Sequence, residues 1–279
     1  MQSNRHIHGF RIGMFDSGLG GLTVLSECAR RFPDNAYFFI GDNANAPYGD
    51  RKRDELRVLS NRLVRHLQKQ SLDVLIVACN TISSLFIEDL QRDLPFPVIG
   101  MISSGADAAV DAWKQSAASP VIGVLATQAT VESHVYQKTI QSLEPSLRVR
   151  ELACPAFTVA LESGDQTPRE EFAMVNESLH SWKKNPPPVI VLGCTHFPYL
   201  QDALTLSLDK NVIWVNPAVR VADRLAEILE TQAPHRPVQQ GFLQLETTGF
   251  PERIASGIQR LSLDAVGIPT HISRVHLTE

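Results

Sequence analysis

Two of the four cysteines in this 279-residue chain stand in the same kind of place. Cys79 closes the run Leu72-Asp-Val-Leu-Ile-Val-Ala-Cys-Asn-Thr81, and Cys194 closes Val189-Ile-Val-Leu-Gly-Cys-Thr-His-Phe-Pro198. In each, an apolar stretch stops on a small residue, a thiol follows, and hydrogen-bonding side chains come next: Asn80 and Thr81 in one, Thr195 and His196 in the other. A single cysteine beside a histidine suggests acyl transfer, because the imidazole makes a thiolate that attacks a carbonyl. Two such thiols suggest proton work. Inverting a carbon acid requires a proton to leave one face and another to arrive on the opposite face. A thiol with an ordinary pKa of about 8.5 can serve as base in one direction and acid in the other. Asp16 and Ser17, at the end of Phe10-Arg-Ile-Gly-Met-Phe-Asp16, form a third reactive strand end. Asp16 is placed to orient one thiol and His196 the other. The remaining hydroxyls, amides and N–H groups suit carboxylates.

The other two cysteines read as packing: Cys28 lies in a helical pattern from Leu22 to Arg31, and Cys154 precedes Pro155 after a strand-like run. No C-x-x-C pair occurs, so neither a metal site nor a disulfide framework is expected. Apolar content of 43% with 20% charged residues describes an ordinary globular protein. A net charge of −4 with dispersed lysines and arginines leaves no footprint for nucleic acid. Met1 to Gly9 is polar, and no stretch approaches the roughly 18 apolar residues of a membrane helix. A reducing cytoplasm, where thiols stay free, is the expected location.

Positioning these groups requires buried strands that end in a cleft. Continuous Val- and Ile-rich runs fit parallel strands covered on both faces, and the chain alternates such runs with helical patterns in the manner of an α/β fold. The spacing predicts strands at 10–16, 36–41, 72–79, 96–100, 121–127, 147–153, 189–193, 212–215 and 242–248. It predicts helices over 22–31 and 52–70, a shorter one from just after Cys79 to Arg92, and helices over 130–142, 168–182, 200–208, 217–230 and 251–261. The pattern restarts near residue 100. Arg11 to Ser17 resembles Val121 to Thr127 at an offset of 110, and Val77 to Thr81 resembles Leu192 to His196 at an offset of 115. Two similar α/β halves with mainly parallel sheets are expected to face each other across a central cleft, each contributing one cysteine. The turn Ser17-Gly-Leu-Gly-Gly21 lacks the third glycine of a dinucleotide fingerprint, and no Walker lysine follows.

Several motifs together resemble the glutamate racemase branch of the cofactor-independent aspartate/glutamate racemase superfamily. They are Phe15-Asp-Ser-Gly-Leu-Gly-Gly21, Pro47-Tyr-Gly49, Ala78-Cys-Asn-Thr81, Gly123 with Ala126-Thr127 and Thr130, Ala153-Cys-Pro155, and Gly193-Cys-Thr-His-Phe-Pro198. The resemblance implies interconversion of L- and D-glutamate with Cys79 and Cys194 as the two acid/bases, Asp16 assisting Cys79 and His196 assisting Cys194. It implies substrate contacts from Asp16, Ser17, Tyr48, Gly49, Asn80, Thr81, Thr195 and His196, and support for the Cys194 side from Glu162. It implies no cofactor and no metal. It also implies one domain from 1–100 and 216–279 and another from 101–215. D-glutamate would feed peptidoglycan synthesis. Glutamate is then the expected partner, with no nucleic acid and no membrane. Some members of the family pair into homodimers, and some need a cell-wall nucleotide activator. The chain departs from the family pattern at Ala156 and Thr158-Val-Ala160, near Glu162, and at Ile82 and Asn216-Pro217, which lie off the chemical positions. Three rival readings remain: racemisation of aspartate or another acidic amino acid, Cys-His amide hydrolysis, and non-catalytic binding of acidic amino acids.

Overall fold

The structure, a computed structural model, describes residues 9–116, 119–208 and 210–277. Met1 to His8, read above as polar terminus, lie outside the described residues. The apolar runs form strands, and the amphipathic stretches form the helices between them. The first half runs β1 (Arg11–Asp16), α1 (Gly21–Arg31), β2 (Ala36–Gly41), α2 (Arg53–Gln68), β3 (Val74–Val77), α3 (Asn80–Asp93) and β4 (Val98–Gly100). Helix α4 (Met101–Ser116) leads to β5 (Val121–Ala126), α5 (Gln128–Ser133), α6 (Val135–Leu143), β6 (Arg148–Ala153), α7 (Pro155–Ser163) and α8 (Pro168–Ser178). Then come β7 (Val189–Gly193), α9 (Gln201–Ser207), β8 (Ile213–Val215), α10 (Pro217–Thr231), β9 (Phe242–Thr247), α11 (Pro251–Arg260) and β10 (Thr270–Arg274).

Two parallel sheets result, in the orders β10-β9-β2-β1-β3-β4 and β6-β5-β7-β8. The series β2-β1-β3-β4 has the same order as β6-β5-β7-β8, and the register repeats too. Ile12 pairs with Val74 and Ile122 with Val189, offsets of 122 − 12 = 110 and 189 − 74 = 115. These are the offsets of the internal repeat in the sequence. Strands β9 and β10 extend the first sheet beyond β2, so the end of the chain returns to where it began.

Each sheet is covered on both faces. Ile12 and Met14 point toward Leu22, Leu25, Val221 and Leu225, while Phe15 points to the opposite side with Phe38, Leu56 and Leu63. Side chains alternate along a strand, so a one-residue slip of β1 would exchange these sets, and the two filled faces hold the register. In the second sheet, Val124 packs with Ile102, Ala106 and Tyr136, and Leu125 with Phe157, Trp182 and Phe197. The chain crosses between the sheets at α4 and again after β8. Arg224 of α10 bridges Asp107 and Ser103 of α4, and Arg220 bridges Asp111.

The structure departs from the expected elements in places. The single helix expected over 130–142 is broken at His134, whose φ of 51° is left-handed. Ser133 donates to the Thr130 carbonyl, and the Val135 N–H donates to Ser133 Oγ, so local side-chain bonds replace the helical ladder there. The helix expected over 168–182 ends at Ser178, with a 3-10 turn at His180–Trp182. Helices α4 and α7 and strand β10 had no assignment from periodicity. No helix among the described residues is long and apolar enough to cross a membrane.

Candidate active site

Parallel strands put all their C-terminal ends on one side of a sheet. Here β1 ends at Asp16, β3 is followed by Cys79, β5 by Thr127 and β7 by Cys194. The ends of the two sheets face each other around an enclosed cavity lined by Ser17, Tyr48, Gly49, Cys79, Asn80, Thr81, Cys194, Thr195 and His196, together with Thr127 and Thr158. All four cysteines are free. Cys28 and Cys154 lie in the packed core, as expected. The cavity measures about 10 Å³, the space one water molecule needs.

The two thiols have different surroundings. Cys79 stands at the N-cap of α3, where the nearby Ile82 N–H and Ser17 hydroxyl favour its thiolate. Burial nevertheless pushes this thiol well up, and the nearby Asp16 carboxylate adds to the effect, so Cys79 is held in its protonated form. Cys194 Sγ lies 3.7 Å from His196 Nδ1 and 3.7 Å from Thr158 Oγ1. His196 Nε2 lies 2.6 Å from Glu162 Oε1. Burial alone would lower His196, but its bonds to Cys194 and Glu162, and their charges, raise it well above its ordinary value. Burial would likewise raise Glu162. The His196 bond and charge, the Leu19 N–H and the Asn43 amide outweigh it and hold Glu162 below the usual carboxylate range. Both shifts favour the charged forms of the pair, and the other ring nitrogen, Nδ1, faces the Cys194 sulfur.

Asp16 and Glu162 sit behind the cavity wall. Asp16 is fully buried and accepts from the N–H groups of Gly18 (3.2 Å) and Gly21 (2.9 Å) and from the Thr195 hydroxyl (3.3 Å). Burial raises its carboxyl, against the pull of His196 and the two N–H bonds. Its hydrogen bonds run to its own turn and across to the second domain, while Cys79 feels it through space. Glu162 Oε1 accepts the Leu19 N–H (2.9 Å), and Oε2 accepts Asn43 Nδ2 (3.1 Å), so this carboxylate also ties the domains together. These contacts account for the glycine-rich turn. A Cβ on Gly18 would stand 1.8 Å from Glu162 Oε1, and one on Gly20 would stand 2.3 Å from Thr195 Oγ1. The glycines make room for the opposite domain.

On the other flank, Thr81 Oγ1 lies 3.0 Å from Thr127 Oγ1, and the Ala129 N–H donates to the Gly49 carbonyl at 3.1 Å. The Tyr48 hydroxyl donates to Asp42 Oδ2 at 2.5 Å. Sequence reasoning left Thr127 and Thr158 out of the site. Thr127 is the counterpart of Ser17 at the offset of 110, so the repeat contained the signal. Thr158 follows no motif. Among the described residues, no group of three or more His, Cys, Asp or Glu side chains is arranged to hold a metal ion.

The chain matches the Asp/Glu/hydantoin racemase family over residues 21–222. It is 37% identical over 218 residues to the glutamate racemase of Lysinibacillus sphaericus, covering 78% of this chain and 81% of that protein. It is 36% identical over 238 residues to the glutamate racemase of Latilactobacillus sakei, covering 85% of each. Among solved structures, a glutamate racemase isoform from Bacillus anthracis aligns with a TM-score of 0.84 at 32% identity, covering 98% of this chain and 99% of that one. The glutamate racemase of Francisella tularensis, solved in complex with D-glutamate, aligns with a TM-score of 0.83 at 25% identity, covering 98% of each chain.

Proposed function

Because the chain belongs to the Asp/Glu/hydantoin racemase family, we propose that it interconverts L- and D-glutamate, with Cys79 and Cys194 as the two bases. One observation carries this reading: two thiols delivered by equivalent strands of two sheets line the same enclosed cavity. With the α-carbon between the sulfurs, Cys194 removes the proton of L-glutamate while Cys79 delivers one to the opposite face. The His196 imidazolium stabilises the thiolate that takes the proton. Burial and Asp16 keep Cys79 as the thiol that gives one. In the reverse direction the roles exchange. Asn80, Thr81, Thr195 and Ser17 supply donors for the two carboxylates. The D-glutamate formed would feed the supply of peptidoglycan precursors, a role that the family resemblance supports.

The test is to incubate the protein with L-glutamate in heavy water and follow optical rotation and α-deuterium together. Rotation should decay to zero while deuterium enters the α-position. Thioester or amide chemistry without α-exchange would favour Cys-His hydrolysis, and binding without exchange would favour a simple binder. Running L-aspartate alongside separates the two acidic substrates.

A cavity of about 10 Å³ also implies that the domains open to admit substrate and close on it, excluding water and strengthening each bond to the carboxylates. Saturating glutamate should therefore protect Cys79 and Cys194 from alkylation together, read by mass spectrometry of labelled peptides. Protection of one thiol alone would show that they do not share a substrate cleft.

A further inference from the structure

Tyr136 belongs to none of the recognised motifs, yet it touches both cysteine-bearing strand ends. It lies in α6 of the second domain and is fully buried. Its hydroxyl donates to Asn80 Oδ1 at 2.8 Å, and Asn80 directly follows Cys79. Its ring lies against Gly193, which directly precedes Cys194: a Cβ there would stand 3.2 Å from Tyr136 Cε2. On the hydroxyl side, a Cβ on Gly105 of α4 would stand 2.8 Å from the Tyr136 oxygen. Two glycines thus leave the slot in which the tyrosine reaches across to the first domain.

Asn80 is 2% exposed and lines the cavity, and its Nδ2 has no hydrogen-bond partner among the described residues. A carboxamide has an accepting end and a donating end. With its oxygen engaged by Tyr136, the donating end of Asn80 is left for the cavity, where a carboxylate oxygen can accept from it. Turned over, it would offer its oxygen to a carboxylate and repel it. We propose that Tyr136 is a positioning residue that fixes the Asn80 carboxamide with its N–H donors toward the cleft, so that Asn80 recognises a substrate carboxylate. This assignment rests on reading the cleft as the site of an acidic amino acid.

A double-mutant cycle on glutamate affinity tests it, with calorimetry on the unaltered protein, Tyr136→Phe, Asn80→Ala and the double variant, and thermal melts on all four. Asn80→Ala should weaken L-glutamate binding about ten- to hundredfold, the effect of losing a hydrogen bond to a charged group. Tyr136→Phe, which keeps the ring, should weaken it about five- to tenfold in the presence of Asn80 but less than about twofold in its absence. Gly105→Ala displaces the hydroxyl without removing it, and should weaken binding under the same condition even if Tyr136→Phe folds poorly. Equal losses in both backgrounds, or unchanged affinity in Tyr136→Phe and Gly105→Ala, would overturn the assignment and leave the racemase reading intact. Failure of the unaltered protein to bind any acidic amino acid would overturn both.

Discussion

Replacing either Cys79 or Cys194 by alanine is expected to lower racemisation of glutamate about 10²- to 10⁴-fold or more in both directions, the usual contribution of a positioned acid or base. Every turnover uses one thiol as base and the other as acid, so neither direction survives the loss of one. The fall corresponds to about 2.8–5.6 kcal/mol of barrier, at about 1.4 kcal/mol per tenfold. Both side chains are small and lie at strand ends, so the fold should persist. The α-proton exchange that remains identifies the face each thiol serves. A Cys194→Ala variant should still exchange the α-proton of D-glutamate with heavy water through Cys79, and should leave L-glutamate untouched. Cys79→Ala should show the reverse preference. Exchange on the opposite face from the one assigned would invert the mechanism, and full activity in either variant would end it.

Removing Glu162 should have the second largest effect, this time on stability. His196 is 1% exposed and Glu162 13%, and breaking a buried pair by deleting one partner typically costs about 3–5 kcal/mol because it strands the other charge. Glu162→Ala also frees the Leu19 N–H and the Asn43 amide, so the domains lose a tie. The loss should depend on pH with a definite sign. Glu162 is held below its ordinary value of 4.5, so its contribution is present above that pH and is lost as pH falls through the folded value. His196 is held above its ordinary value of 6.5, so its contribution is complete below that pH and is lost as pH rises through the folded value. The gap between the unaltered protein and the variant should therefore be widest between pH 4.5 and 6.5, and should narrow on either side. Urea melts across a pH series measure it. A gap that does not change with pH would mean that Glu162 acts by packing and not by pairing with His196.

Glu162 also marks where sequence reasoning depended on resemblance. Its position matched a family glutamate, but nothing local to residues 161–164 shows that it accepts from Leu19, 143 residues away, or pairs with His196, 34 away. Asp16 is similar. It sits at a strand end, as its sequence context indicates, but its bond to Thr195 spans 179 residues. The glycine-rich turn could be cleared of nucleotide binding on sequence grounds, yet its purpose became visible only with Glu162 and Thr195 packed against it.

What the sequence determines alone is what depends on burial of a residue among near neighbours. A strand covered on both faces must be apolar throughout, so the runs ending at Cys79 and Cys194 could be read as buried parallel strands. Because both halves solve the same packing problem, the offsets of 110 and 115 were legible and recur in the pairing of Ile12 with Val74 and Ile122 with Val189. The tertiary structure alone decided which side chains meet across the cleft. The bond from Tyr136 to Asn80 and the tie from Glu162 to Leu19 both join residues of the two domains. The periodicity of a segment records which of its faces is buried, but it carries no record of the partner that buries it.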